Sequence, residues 1–207
     1  MPRIKISRKS TAIDMTAMCD VAFLLLTFFI LTATARQPEP LPVDTPSSVV
    51  QTKLPDTDIA TITIGDGKAF FGVSGQPVRI NMLDRVAKRY NMQFTPEEKR
   101  RFSLMESFGV PVGNLKQLIA MDGPDRIKPG VQPGIPIDSV NGAASELHEW
   151  IIAARYATKE LNEKELRLSI KGDSREKYPA VKKVIDILQK QKVNKFSLIT
   201  SLEAEED

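Results

Sequence analysis

Asp20 is the only formally charged side chain between Met15 and Ala35, in the run MTAMCDVAFLLLTFFILTATA. An acid in such surroundings can take up and release a proton, because withdrawal from water favours the neutral form of a carboxyl group. Thr16 precedes it by four residues, and Thr27 and Thr34 follow at intervals of seven. At about 100° per residue, Thr16, Asp20, Thr27 and Thr34 fall within about a 40° arc of a helix. One polar stripe therefore faces one way, while Phe, Leu, Ile, Val, Met and Ala cover the rest of the circumference. Threonines in an apolar helix can bond their own preceding carbonyls, so the three hydroxyls alone carry little meaning. An acid in register with them points to a proton-carrying site. The competing reading is a carboxylate that stays wet, because it stands only about 8 Å along the helix from Met15. A single helix encloses no water path, so proton movement at Asp20 requires neighbouring helices from a second copy or another protein.

The element that positions Asp20 is a membrane span. Twenty-one residues of helix reach about 31 Å, close to the hydrocarbon thickness of a bilayer. An acid near the middle of a span costs about 2.5–3.5 kcal/mol, and each Leu, Ile, Phe or Val returns about 0.3–0.6 kcal/mol. Val21, Phe23, Leu24, Leu25, Leu26, Phe28, Phe29, Ile30 and Leu31 together return about 3–5 kcal/mol, so the segment inserts despite Asp20. A cleaved signal peptide has a shorter apolar core, although Ala33-Thr34-Ala35 offers small residues where cleavage could occur. An uncleaved anchor fits better. Arg3, Lys5, Arg8 and Lys9 precede the span and only Arg36 follows it closely, which keeps the amino end in the cytoplasm and exports the remainder.

The 207 residues leave room for this span and one modest domain. Their net charge of +3 includes the four bases of the amino tip, and no basic face remains to suggest nucleic acid. Cys19 is the only cysteine and lies in the span, so an exported domain must hold by packing without a disulfide. The expected division is a tip at 1–14, a transmembrane helix at 15–36, an extended linker at 37–58, a domain at 59–202 and an acidic tail at 203–207. Five prolines in QPEPLPVDTPSSVVQTKLPDTD favour extended backbone in the linker.

Folding resumes at IATITIGDGKAFFGV, where two strands flank Gly65-Asp66-Gly67 as a hairpin. A helix is expected around 82–90. Another follows in TPEEKRRFSLMESFG, where Thr95 and Glu98 have capping-box spacing, Pro96 suits the first helical position and Gly109 ends the run. A short helix at 114–121 then leads into a Gly/Pro loop. Leu147, Trp150, Ile151 and Ala154 repeat at i, i+3, i+4, i+7, as do Val181, Val184, Ile185 and Leu188. Between these helices LRLSIKGD turns Leu166, Leu168 and Ile170 inward as a strand, and KFSLITS supplies another. A strand, helix, strand order gives parallel partners joined by a right-handed crossover. The fold class is α+β: one amino-terminal transmembrane helix, a Pro-rich linker, and a small domain with helices packed on a mixed sheet. Asp173 ends its strand and can accept amide hydrogen bonds ahead of the helix expected from Pro179, a structural role that needs no catalysis.

AIDMTAMCDVAFLLLTFFILTATA closely resembles the transmembrane segment of the ExbD/TolR family of proton-driven energy transducers. The family pattern of Asp, hydrophobe, Thr, often Pro, and a second Asp stands here as Asp14-Met15-Thr16-Ala17-Met18-Cys19-Asp20, with Ala17 in place of the usual Pro. The resemblance implies that Asp20 is the proton-responsive carboxylate. Leu54-Pro55 sits where the family has a short Leu-Pro motif, which suggests a docking strand, a further linker proline being the alternative, and Asp173 and Tyr178 in SIKGDSREKYPAVKKVIDILQKQKVNKFSLIT match its periplasmic pattern. The block from 81 to 142, an insertion of helices and loops, is longer than in better-known members and resembles Bacteroidetes-type variants.

The resemblance implies an inner-membrane homodimer with a periplasmic domain. It implies an ExbB/TolQ/MotA-like multispanning channel protein as one partner and a TonB-like or TolA-like energy carrier as another. The function would be to convert proton motive force into work for outer-membrane transport. A passive anchored module gripping peptidoglycan or an envelope protein is the alternative. Enzyme chemistry, a metal and a cofactor find no support, since His148 is the only histidine and no Cys or acid cluster has ligand spacing.

Overall fold

The computed structural model describes residues 15–32, 39–48, 57–139 and 144–202. Thr34, Leu54 and Pro55 lie outside the described residues. The chain divides into two units, 1–37 and 38–207.

The first unit contains α1 (Met15–Thr32), a helix of 18 residues with a mean hydropathy of 2.0, long and apolar enough to cross a membrane. None of its residues is buried within the chain, so its apolar surface awaits lipid or other helices. Thr27 and Thr32 turn their hydroxyls to the backbone. Thr27 donates its hydroxyl to Phe23 O at 2.9 Å and Leu24 O at 3.0 Å, and Thr32 donates to Phe28 O at 2.8 Å.

The second unit begins with β1 (Ser47–Ser48), β2 (Ile59–Gly65) and β3 (Lys68–Val73), followed by α2 (Gln76–Arg89), α3 (Pro96–Ser103) and β4 (Ser107–Phe108). A 3-10 turn at Val112–Asn114 leads to α4 (Leu115–Ala120) and α5 (Gly123–Arg126), and then α6 (Glu146–Asn162), β5 (Arg167–Gly172), α7 (Tyr178–Lys190), β6 (Phe196–Ile199) and β7 (Ser201–Leu202). The main sheet has the order β4-β3-β2-β5-β6, and β1 pairs separately with β7.

β2 and β3 form the expected antiparallel hairpin. Asp66 and Gly67 both have positive φ, 52° and 69°, as a type I′ two-residue hairpin turn requires. β5 runs parallel to β2 on one side and to β6 on the other, with Leu168 opposite Ala60 and Phe196. The alternation then decides the two faces. Ala60, Ile62, Ile64, Phe71, Leu168 and Ile170 turn to the core, against Met82, Leu83 and Val86 of α2 and Leu147, Trp150, Ile151 and Ala154 of α6. Each large apolar side chain buried this way contributes roughly 1.5–3 kcal/mol. The opposite face presents Thr61 and Ser169, whose hydroxyls meet at 3.0 Å.

Residues 81–139 contribute to this core. Phe102, Phe108, Val110, Leu115, Leu118 and Ile119 are all buried in it. Phe108 stands edge-on to Trp150 at 4.7 Å between centroids, and Phe102 stacks on Trp150 at 6.2 Å. The helix expected to run to Gly109 stops at Ser103, because Ser107–Phe108 pairs with Phe71–Gly72 as an edge strand. Its start is as expected: Thr95 Oγ1 accepts from Glu98 N–H and Glu98 Oε2 accepts from Thr95 N–H. The helix expected at 82 begins earlier, at Gln76, with Pro77 in its first turn. The one expected at Pro179 begins at Tyr178, and Asp173 does not cap it.

Candidate functional site

The polar stripe of α1 can be followed from Thr16 to Thr27. Helix rise separates Asp20 from Thr16 by about 6 Å and from Thr27 by about 10 Å along the axis. The Thr27 hydrogen is committed to the carbonyls of Phe23 and Leu24, which leaves its oxygen able to accept. Asp20 has no hydrogen-bond or ion-pair partner among the described residues. Its two oxygens are thus available to water, to a proton, or to groups on neighbouring helices.

In the second unit Asp173 stands at the carboxyl ends of β2 and β5, and Tyr178 is the first residue of α7. Asp173 follows β5 directly, and its N–H donates to Ile64 O at 2.9 Å. Its Oδ1 accepts from Arg175 N–H at 2.8 Å and its Oδ2 from Asp44 N–H at 3.4 Å, while Ser174 N–H donates to Asp44 O at 2.7 Å. The carboxylate therefore fastens a turn to a distant piece of chain. Glu176 Oε2 accepts from Gly67 N–H at 2.9 Å, tying that turn to the β2–β3 hairpin. A hollow of about 410 Å³ opens among Asp44, Asp66, Asp173, Glu176 and Lys177. Tyr178 begins α7 and is 70% exposed.

Residues without a sequence signal also shape this unit. Residues 39–44 lie along the domain: Glu39 pairs with Lys171 at 2.6 Å, and Leu41 and Val43 fill the space that a Cβ on Gly65 would need. Beneath Glu39–Leu41 a groove of about 600 Å³ runs over the polar face of the sheet, lined by Thr61, Thr63, Gly72 and Arg79. Arg79 donates through Nε to Val73 O at 2.7 Å and through Nη1 to Ser103 O at 2.6 Å. Burial lowers its pKa from the ordinary guanidinium value, and the nearby charge of Glu106 opposes that shift. Its spacing on the polar side of α2 gives no hint of this bridging, because both acceptors are backbone carbonyls of other elements.

A family model described as biopolymer transport protein ExbD/TolR matches residues 7–203. The chain belongs to the ExbD/TolR family. The match runs through α1, the second unit and the 81–142 segment alike. No curated protein and no solved structure matches the chain. The ExbD/TolR family is a membrane-anchored family of biopolymer-transport accessory proteins without enzymatic activity, and α1 of this member is long enough to serve as the anchor. Of the residues singled out in the sequence, Asp20, Thr16 and Thr27 share one helix in the first unit, while Asp173 follows β5 and Tyr178 begins α7 in the second.

Proposed function

We propose that this ExbD/TolR-family chain is the proton-responsive, force-transmitting subunit of an inner-membrane complex that powers outer-membrane transport. Asp20 carries the reading: it is the one charged residue of an 18-residue apolar helix and has no partner among the described residues. Inside an ExbB/TolQ/MotA-like channel protein, α1 and its copy from a homodimer exchange protons at Asp20, with Thr16, Thr27 and Thr34 supplying neighbouring oxygens. Neutralising and recharging that carboxyl changes how strongly the helix tolerates its apolar neighbours, and the difference drives its movement. The stretch 37–58 carries the movement outward, with Leu54-Pro55 as a docking point. The domain engages a TonB-like or TolA-like energy carrier, with Asp173 holding its strand end and Tyr178 exposed beside it. The four bases before α1 keep the amino end in the cytoplasm and the domain in the periplasm.

The test is Asp20→Asn in cells that lack the original gene. The variant co-purifies with the channel protein in normal amount and supports no proton-dependent transport; normal assembly with full transport defeats the reading. Replacing Met15–Thr32 by an unrelated apolar helix separates it from a passive tether, since a tether keeps its activity after the exchange.

A further inference from the structure

α6 leads into β5 and α7 leads into β6, and the two strands are parallel. The carboxyl ends of both helices therefore gather beside the amino ends of both strands, where a pocket of about 760 Å³ opens. Ile152, Leu166 and Val193 give it an apolar floor, Leu166 buried and the other two half-buried. Its wall carries Arg155, Lys159, Lys190, Lys192 and Lys195 against a single acid, Glu165. Some cations elsewhere in the domain meet acids, Lys99 with Asp84 at 2.7 Å, Lys183 with Asp138 at 2.7 Å and Lys171 with Glu39 at 2.6 Å, whereas Lys88, Lys116 and Lys182 have no acid within ion-pair distance among the described residues. None of the four pocket lysines lies within ion-pair distance of an acid among the described residues.

Helix macrodipoles account for part of this cluster. Lys159 and Lys190 stand in the last turns of α6 and α7, where a cation is stabilising, and the effect fades beyond that turn. Lys192 and Lys195 lie past α7, in the turn that enters β6, and gain little from it. That turn is firmly held. Arg155 Nη1 donates to Gln191 O at 3.2 Å, Gln191 Nε2 donates to His148 O at 3.1 Å, and Lys192 takes a left-handed φ of 59°. The lysines are thus presented around a preformed hollow, with the ring of Tyr156, 60% exposed, at its side.

We propose that this pocket docks an acidic, extended polypeptide segment of a partner protein. Charge selects the sign of the occupant. The apolar floor and the exposed tyrosine favour a chain that brings side-chain methylenes as well as carboxylates. Inorganic phosphate fills little of 760 Å³, and a bilayer surface is too flat to enter a hollow. The pocket also lies at the end of β5 opposite Asp173, where residues 39–44 join the domain, so an approaching partner meets no competition from that segment. This site goes beyond the proton chemistry assigned to Asp20 and does not depend on it.

The experiment uses the full chain in neutral detergent and a fluorescein-labelled ten-residue peptide of alternating Glu and Ala, read by anisotropy. The expected result is saturable binding that weakens at least tenfold in K159E/K192E/K195E and less than twofold in K88E/K116E/K182E, which carries the same charge change elsewhere. Where the first triple variant fails to fold, K159A/K192A/K195A replaces it, with a loss of at least threefold expected. Equal weakening by both sets, no saturable binding, or full displacement by equimolar inorganic phosphate overturns the proposal. So does preferential binding of phosphatidylglycerol vesicles at the same lysines. Severalfold tighter peptide binding after removal of residues 203–207 would assign the pocket to the chain's own acidic run and overturn the partner reading.

Discussion

A carboxyl group at position 20 differs from an amide of nearly the same shape chiefly in its ability to part with a proton. Asp20→Glu keeps that ability on a side chain one methylene longer, so partial transport is expected where Asp20→Asn supports none; transport assays on both variants at equal complex levels check this. Gly109 is constrained by space. A Cβ there would lie 2.3 Å from Cδ1 of Phe70, and the Phe70 ring is only 2% exposed. Gly109→Ala is expected to destabilise the fold by about 1–3 kcal/mol, measured by denaturant unfolding with the fluorescence of Trp150. Sequence reveals Asp20 because an acid among Phe and Leu contradicts its surroundings. Gly109 is different: in sequence it reads as a helix stop, and its reason lies in a ring thirty-nine positions away.

β4 shows where reading by periodicity stops. Its two residues are too few for a strand pattern, and they follow a well-capped helix whose spacing invites continuation. Pairing with Phe71 and the contact of Phe108 with Trp150 win over that local preference. Phe108→Ala is expected to cost about 3–5 kcal/mol, with α-helical circular dichroism retained below the lowered melting point. The hairpin, the inward faces of β5 and the apolar stripe of α6 are legible because each repeats its period over several residues. β1 and β7, two residues each, offer no such signal.

The contact between α2 and α6 carries a pH dependence of stated sign. Glu160 is held below the ordinary carboxylate pKa, first by the hydrogen bond from Arg85 and then by that from Asn81. A depressed folded value stabilises the fold above the unfolded carboxylate pKa, and that stabilisation is lost as pH falls through the folded value. In Arg85→Met the NMR-monitored titration of Glu160 should move upward toward the ordinary value. A titration that stays where it was contradicts the assignment of the shift to Arg85.

At the scale of the whole molecule, an apolar helix bearing one acid and a disulfide-free α+β domain sit in one chain, and the family match covers both. The broad plan is legible because lipid and a folded core each demand a distinct composition. The rest depends on contacts between distant residues: Asp173 with Asp44, Lys171 with Glu39, and the lysines gathered where two helices end. No local pattern encodes such meetings. The central claim is that Asp20 gains and loses a proton within a helix bundle. Infrared difference spectroscopy of the membrane complex, titrated from acid to alkaline conditions, tests it most directly. The account predicts a protonated-carboxyl band that titrates and is missing from Asp20→Asn; a spectrum in which Asp20 is ionised throughout and openly exchanging with bulk water contradicts it.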